Sequence, residues 1–92
     1  MAVVLHTDGN RGNIDLSTFT LQERLVKLRE IVGGYLESVP IGGGLHLLFW
    51  EDGKDHNLPA NFQATMIADG HLMEDDYIAG VAVLAAQNEL DN

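Results

Sequence analysis

The chain contains no cysteine, and this absence removes several kinds of chemistry at once. Without thiols there is no disulfide, no thiolate zinc site and no cysteine nucleophile. The redox state of the compartment is therefore unconstrained by the sequence, and a reducing cytosol is compatible with it.

Long hydrophobic runs are also missing. The longest apolar stretch, residues 78–86, contains a glycine and is shorter than the roughly 20 residues that a membrane helix needs. The N-terminus lacks the basic region followed by an apolar core that is typical of a secretory signal. We expect a cytoplasmic protein with no membrane partner.

Basic residues are scarce. Five Lys and Arg oppose fourteen Asp and Glu, so the formal net charge is −9. A phosphate backbone would be repelled, and we expect no nucleic-acid partner. Residues 55–92 hold seven acids and no base, a pattern that suits a docking patch for a basic protein and is also typical of a soluble surface.

A helical pattern stands out among the residues that are present. Apolar side chains recur every three or four residues from Leu21 to Val32. Thr20 and Glu23 have the spacing of a capping box, and the pair Gly33-Gly34 can end a helix in the left-handed conformation. We predict one main helix over about 20–32, followed at once by a strand.

Strand and turn signals fill the rest of the 92 residues, which suffice for a single domain with one core. We predict an α+β fold: a mixed or antiparallel sheet of about five strands, the main helix, and a short helix over about 61–68 capped by Asn61. The predicted strands cover residues 1–5, 13–16, 35–39 (ending at Pro40), 45–50, 55–58 and 77–84, and residues 87–92 are predicted as a frayed tail.

The apolar run Leu45–Trp50 leaves two interpretations open. Strand alternation places Leu45, Leu47 and Phe49 on one face and the other three side chains on the opposite face. Either the short helix near residue 62 covers that second face, or the face is an interface for a protein or a homodimer. The candidate interaction surface combines this second face with Tyr35 and the acidic run at residues 74–76. Its residues are Tyr35, His46, Leu48, Trp50, Glu74, Asp75 and Asp76.

Motifs for metal binding or catalysis are absent from the sequence. The four histidines are far apart, without the spacing of compact metal sites. His71 and the nearby acids could gather a hard cation, although a solvated acidic loop explains them equally well. No serine lies in a nucleophile motif, and Gly42–Gly44 precedes a strand instead of opening a helix as a phosphate loop does. We expect no enzyme, no metal and no cofactor.

Three separated blocks carry a family resemblance. They are residues 32–37 (VGGYLE), residues 51–65 with the segments EDGK, LPAN and AT, and residues 77–83 (YIAGVAV). In this order they resemble the short phage and plasmid family known only as domain of unknown function 3846. The chain departs from that family at Leu36, where isoleucine is usual, and at Ala82, where aspartate is frequent. The resemblance implies a mobile-element origin and an accessory role, with no activity to carry over.

These observations together predict a non-enzymatic accessory protein in the cytoplasm of a bacterial host. It would bind and inhibit a host protein, for which a defence protein is one candidate. One alternative is a sequestering protein for a small nucleotide signal. Its glycines would approach the ligand closely, and Tyr35 or Trp50 would stack on the nucleobase. The chain has few basic side chains to bind the phosphates of such a ligand. A second alternative is a structural homodimeric module.

Overall fold

The computed structural model describes residues 1–91, and it is built on one five-stranded antiparallel sheet with the strand order β2-β1-β5-β4-β3. The predicted α+β class, with one main helix, is confirmed. The elements are β1 (Ala2–Leu5), β2 (Arg11–Ile14), a 3-10 turn (Leu16–Thr18), α1 (Leu21–Val32), β3 (Leu36–Gly42), β4 (Leu45–Trp50), α2 (Phe62–Ile67), β5 (Ala82–Ala86) and α3 (Gln87–Asp91).

Two hairpins, β1–β2 and β3–β4, form the two sides of the sheet, and β5 joins them in the middle. Residues of β5 are buried on both faces because helices cover both. Val83 packs with Leu28 of α1 on one face, and Ala82 packs with Ala64 of α2 on the other. The last strand in the chain therefore completes the core.

Helix α1 begins and ends where the sequence predicts. The Thr20 hydroxyl accepts from the Glu23 backbone N–H at 3.2 Å, and the Glu23 carboxylate accepts from the Thr20 N–H at 2.8 Å. Gly33 has a φ of 104°, and its N–H donates to Arg29 O at 2.8 Å. The capping box and the left-handed cap together set both ends of the helix.

The two glycines after α1 serve different purposes. Gly33 supplies the left-handed backbone, whereas a Cβ on Gly34 would overlap the indole of Trp50. The indole also stacks on the ring of His56, with a centroid distance of 4.3 Å. Only a residue without a side chain allows the chain to pass Trp50 at this distance.

Two predictions in the middle of the chain are wrong. Strand β3 continues through Pro40 to Gly42, with a bulge between them, because β3 is an edge strand whose outer side needs no donor. Residues 55–57 form turns and residue 58 is irregular, so the predicted strand is absent there. Their backbone donors are used locally, as in the bonds from His56 N to Asp52 O and from Leu58 N to Gly53 O.

Two further predictions fail near the C-terminus. Strand β5 begins at Ala82 instead of residue 77, since Gly80 takes a φ of 83° and the segment before it makes only the isolated bridge between Ala79 and Ala60. The predicted tail forms α3 up to Asp91, whereas residue 92 lies outside the described residues. The Glu89 carboxylate stabilises this turn by accepting from Ala86 N at 3.0 Å.

Arg24 is almost fully buried, which the helical pattern does not reveal. Its guanidinium donates to Leu16 O at 2.7 Å, Phe19 O at 3.1 Å and Glu89 O at 3.0 Å. Leu16 belongs to the 3-10 turn, Phe19 to the segment that precedes α1, and Glu89 to α3. One buried cation thus holds three elements together through charge-assisted hydrogen bonds.

The apolar strand β4 is covered on both faces, but not by the helix that was predicted. Leu48 packs against Leu28 and Val32 of α1, so α1 covers the face assigned above to the short helix or to an interface. Leu47 and Phe49 point to the other face, where α2 lies. Helix α2 is confirmed, with the Asn61 side chain accepting from Ala64 N at 3.0 Å.

We predict that Gly34→Ala destabilises the protein by about 1–3 kcal/mol, because the new methyl group must displace the Trp50 indole. Urea unfolding followed by far-ultraviolet circular dichroism measures the loss. Gly12→Ala is the control, since a Cβ there meets its nearest neighbour, Val4 Cβ, at an ordinary 4.0 Å. Equal unfolding midpoints for the two variants would show that the contact with Trp50 imposes no constraint.

Candidate interaction site

The seven predicted interaction residues do not form one surface. Leu48 is buried, with 5% of its surface exposed, so its assignment to an exposed surface is wrong. His46 and Leu48 line a groove beside α1, whereas Trp50 and Asp76 line a cleft by the loops that follow β4. Tyr35 is exposed. Glu74 and Asp75 lie in a depression that shares Asp76 with the cleft.

The cleft encloses about 190 Å³ and combines apolar and acidic groups; we call it the acidic cleft. Phe49, Leu72 and Ala79 supply apolar surface, and Phe49 and Leu72 belong to the core on the α2 face of the sheet. The full lining is Glu37, Phe49, Trp50, Glu51, Lys54, Leu72, Asp76, Tyr77 and Ala79.

Backbone hydrogen bonds build the acidic cleft from three distant parts of the chain. Glu51 N donates to Tyr35 O at 3.0 Å, which joins the end of β4 to the start of β3. Asn61 N donates to Ile78 O at 2.7 Å, which brings the segment before β5 to the start of α2. The three blocks that carry the family resemblance, residues 32–37, 51–65 and 77–83, each contribute to the lining.

Asn61 anchors this arrangement from inside the protein. It is fully buried, and its amide donates to Leu5 O and Gly80 O, each at 2.9 Å, while its side-chain oxygen caps α2. All of its side-chain hydrogen bonds go to the protein backbone. Asn61 is therefore a structural residue that fixes the position of the segment carrying Tyr77 and Ala79.

Lys54 is the cation of the acidic cleft, and it is already engaged. Its ammonium forms an ion pair with Asp76 and lies 4.5 Å from the ring centroid of Tyr77. The hydrogen bond from Lys54, with a second from the Tyr77 N–H at 2.8 Å, holds the pKa of Asp76 below its usual value of 3.8. Lys54 and Asp76 thus neutralise each other.

Two carboxylates of the acidic cleft have no such partner. Glu37 and Glu51 are exposed, and neither belongs to an ion pair within residues 1–91. Three carboxylates and one ammonium give the acidic cleft a formal charge of −2. Apolar surface next to unpaired carboxylates suits a long cationic side chain, whose methylene stem packs while its charged end remains near the carboxylates.

The acidic loop does not assemble a metal site in the part of the chain that the structure describes. Glu74, Asp75 and Asp76 are all exposed, and Asp75 takes a φ of 65°. Across residues 1–91, no three His, Asp or Glu side chains are placed to hold one ion together. The described helices also include none that is long and apolar enough to cross a bilayer.

One serine and one histidine lie close together, on the opposite side of the sheet from the acidic cleft. Ser38 Oγ and His46 Nδ1 are 3.4 Å apart, which is long for a hydrogen bond. A hydrolytic pair also needs a group that orients the imidazole, usually a carboxylate. The groove that these two residues line contains no acidic side chain, so their proximity does not build a catalytic site there.

No family model matches the chain, and comparisons with curated proteins and with solved structures likewise give no match. The resemblance to domain of unknown function 3846 therefore stays a prediction. The convergence of its three blocks on the acidic cleft was not expected from the sequence. Glu37 and Glu51 were not predicted as candidate interaction residues, because nothing in the sequence indicates that residues so far from Tyr77 share a cleft with it.

We predict that Asp76→Asn lowers the unfolding free energy at neutral pH and that this loss fades in acid. A carboxylate whose pKa is lowered by folding stabilises the folded state at any pH above its pKa in the unfolded chain, here 3.8. This contribution is lost as the pH falls through the pKa of the folded state. Urea unfolding of variant and wild type at about pH 7 and about pH 2 measures the difference.

Asp75→Asn is the control for this measurement, because Asp75 is also exposed and makes no ion pair within residues 1–91. Asparagine tolerates the positive φ at this position as well as aspartate does. If Asp75→Asn and Asp76→Asn show the same pH dependence, the ion pair with Lys54 contributes nothing specific.

Proposed function

We propose that this protein is a non-enzymatic binding module that takes a basic side chain of a partner protein into the acidic cleft. The observation that carries the proposal is the pair Glu37 and Glu51, two unpaired carboxylates at a cleft with apolar surface. A guanidinium or ammonium group bound there would exchange water for two negative partners. Its methylene stem would cover Phe49 and Leu72.

The charge of the whole chain supports this proposal. The net charge of −9 attracts a basic protein from a distance and speeds its approach. The acidic loop carrying Glu74 and Asp75 adjoins the acidic cleft and extends its negative surface, since the two depressions share Leu72 and Asp76. Two exposed tyrosines suit the rim of a protein interface: Tyr77 lines the acidic cleft, and Tyr35 is two residues before Glu37 in the sequence.

The identity of the partner rests on the family resemblance. An origin in a phage or other mobile element favours a host protein as the partner and inhibition as the outcome, and a defence protein is a candidate. Binding would be stoichiometric, without turnover, in the cytoplasm of a bacterial host. The alternative of a sequestered nucleotide is not favoured, because Glu37 and Glu51 would repel its phosphates.

We predict that the double variant Glu37→Gln, Glu51→Gln binds its partner at least about tenfold more weakly than wild type, a cost of about 1.4 kcal/mol. Partners are first captured from lysates of candidate bacterial hosts with the wild-type protein. The dissociation constant of each captured and purified partner is then measured by titration calorimetry. Wild-type binding should weaken with salt, because the Debye length shortens from about 30 Å at 0.01 M to about 10 Å at 0.1 M.

The charge-matched control is Glu30→Gln, Asp91→Asn, which changes the net charge by the same two units on α1 and α3 and removes only a surface ion pair of 3.9 Å with Lys27 and a surface hydrogen bond from Gln87. It lies on the face of the sheet away from the acidic cleft and should keep wild-type affinity apart from a small long-range effect. Equal losses for the two double variants would reduce the interaction to net charge and contradict the proposal. So would a partner whose affinity is unchanged when Glu37 and Glu51 are neutralised.

A further inference from the structure

A second surface lies on the opposite face of the sheet, where α1 leaves a groove beside β3, β4 and α3. The groove has a volume of about 370 Å³, and we call it the leucine groove. Leucines from the helices and the strands supply most of its lining. They are Leu21, Leu25, Leu28, Leu36, Leu48 and Leu90.

Two of these leucines are largely exposed although they belong to an apolar groove. Leu21 is 53% exposed and Leu25 is 42% exposed, although Leu28 on the same helix is buried. Leu21 and Leu25 are four residues apart, so they lie one above the other on one face of α1. Together with half-buried Leu36 and Leu90 they form a contiguous apolar surface, which is typical of an interface.

The charge of the leucine groove sets it apart from the rest of the protein. The chain has a net charge of −9, yet no carboxylate lines this groove. Its ionisable side chains are Arg24, which is buried among backbone carbonyls, and His46. Two copies of so acidic a chain repel each other least where they meet through a surface without acids.

We propose that the leucine groove is the interface of a homodimer, in which α1 of one protomer packs against α1 of its partner across a twofold axis. A twofold interface brings the same surface patch from both copies together. Leu21 and Leu25 of each copy would then cover the apolar groove of the other. A carboxylate placed in the groove would gain little from Arg24, because that guanidinium already donates to three carbonyls.

Pairing through the edge strand β3, which lies beside the leucine groove, is a poorer route to the same dimer. The free edge of β3 contains Pro40, which has no N–H to donate, and a bulge between Pro40 and Gly42. Both features prevent a regular ladder from extending to a second copy. Next to the leucine groove, the apolar side chains of α1 are therefore a better contact than backbone hydrogen bonds from β3.

The dimer does not depend on the proposed function. The leucine groove lies on the α1 face of the sheet, whereas the acidic cleft shares Phe49 and Leu72 with the core on the α2 face. A dimer through α1 leaves both acidic clefts open. Its formation can therefore be tested without any host component.

Sedimentation velocity and light scattering over a range of protein concentrations test the proposal. We expect wild type to reach twice the 10.0 kDa of one chain. Leu25→Glu should raise the dissociation constant of the dimer at least about tenfold, because a twofold interface would bury two unpaired carboxylates. Higher salt should tighten the wild-type dimer by screening its repulsion, the opposite of the salt effect at the acidic cleft.

Val26→Glu is the matched control, since Val26 is the next residue of α1, is 55% exposed, and lines a different depression. This variant introduces the same charge as Leu25→Glu. Its dimer should be as stable as that of wild type, apart from the small repulsion that one more negative charge on each copy adds. Far-ultraviolet circular dichroism checks that both variants fold. If the wild-type protein stays monomeric at a concentration of about 100 μM, its dissociation constant is too high for a specific dimer, and the proposal is overturned. Equal weakening by the two variants, or an intact Leu25→Glu dimer, overturns it as well.

Discussion

The packing of Trp50 against Gly34 is the contact on which the arrangement of this protein most depends. The indole occupies the space that a Cβ of Gly34 would need, and the ring of His56 stacks on it. The end of α1, the start of β3, the end of β4 and the loop after β4 therefore meet at one aromatic side chain. Because interiors are close-packed, a displaced indole would shift every one of these segments. Glu51, which lines the acidic cleft, is the next residue along from Trp50.

The sheet separates two surfaces with opposite character. On the α2 face, β3 and the turn after β4 bring Glu37 and Glu51 to a cleft with apolar surface, where Lys54 already neutralises Asp76. On the α1 face, leucines line a groove without any carboxylate. In a chain with a net charge of −9, this division matters, because electrostatic attraction to a basic protein and association with a second acidic copy need different surfaces. A dimer would present two acidic clefts and could bind a repeated target with higher apparent affinity.

Local signals predicted the elements whose ends are set by nearby residues. Thr20, Glu23 and Gly33 determine α1, and Asn61 determines the start of α2, in each case through contacts within a few residues. Two predictions failed because a distant contact decided the outcome. Pro40 is tolerated inside β3 because that strand lies at the edge of the sheet. The C-terminal residues form α3 where Gln87 N bonds to Gly44 O at 2.7 Å, which no local pattern indicates.

The sequence by itself determined the fold class, the main helix with its caps, the acidic charge and the lack of thiol chemistry. Periodicity, capping and composition are properties of neighbouring residues, so they can be read from the chain directly. Tertiary structure alone decided that α1 buries Leu48, that Arg24 lies inside the protein, and that Glu37 and Glu51 share a cleft. Each of these depends on how helices and strands pack together, not on a pattern within one segment. Strand order is set by the combined packing of both faces, and no single segment encodes it.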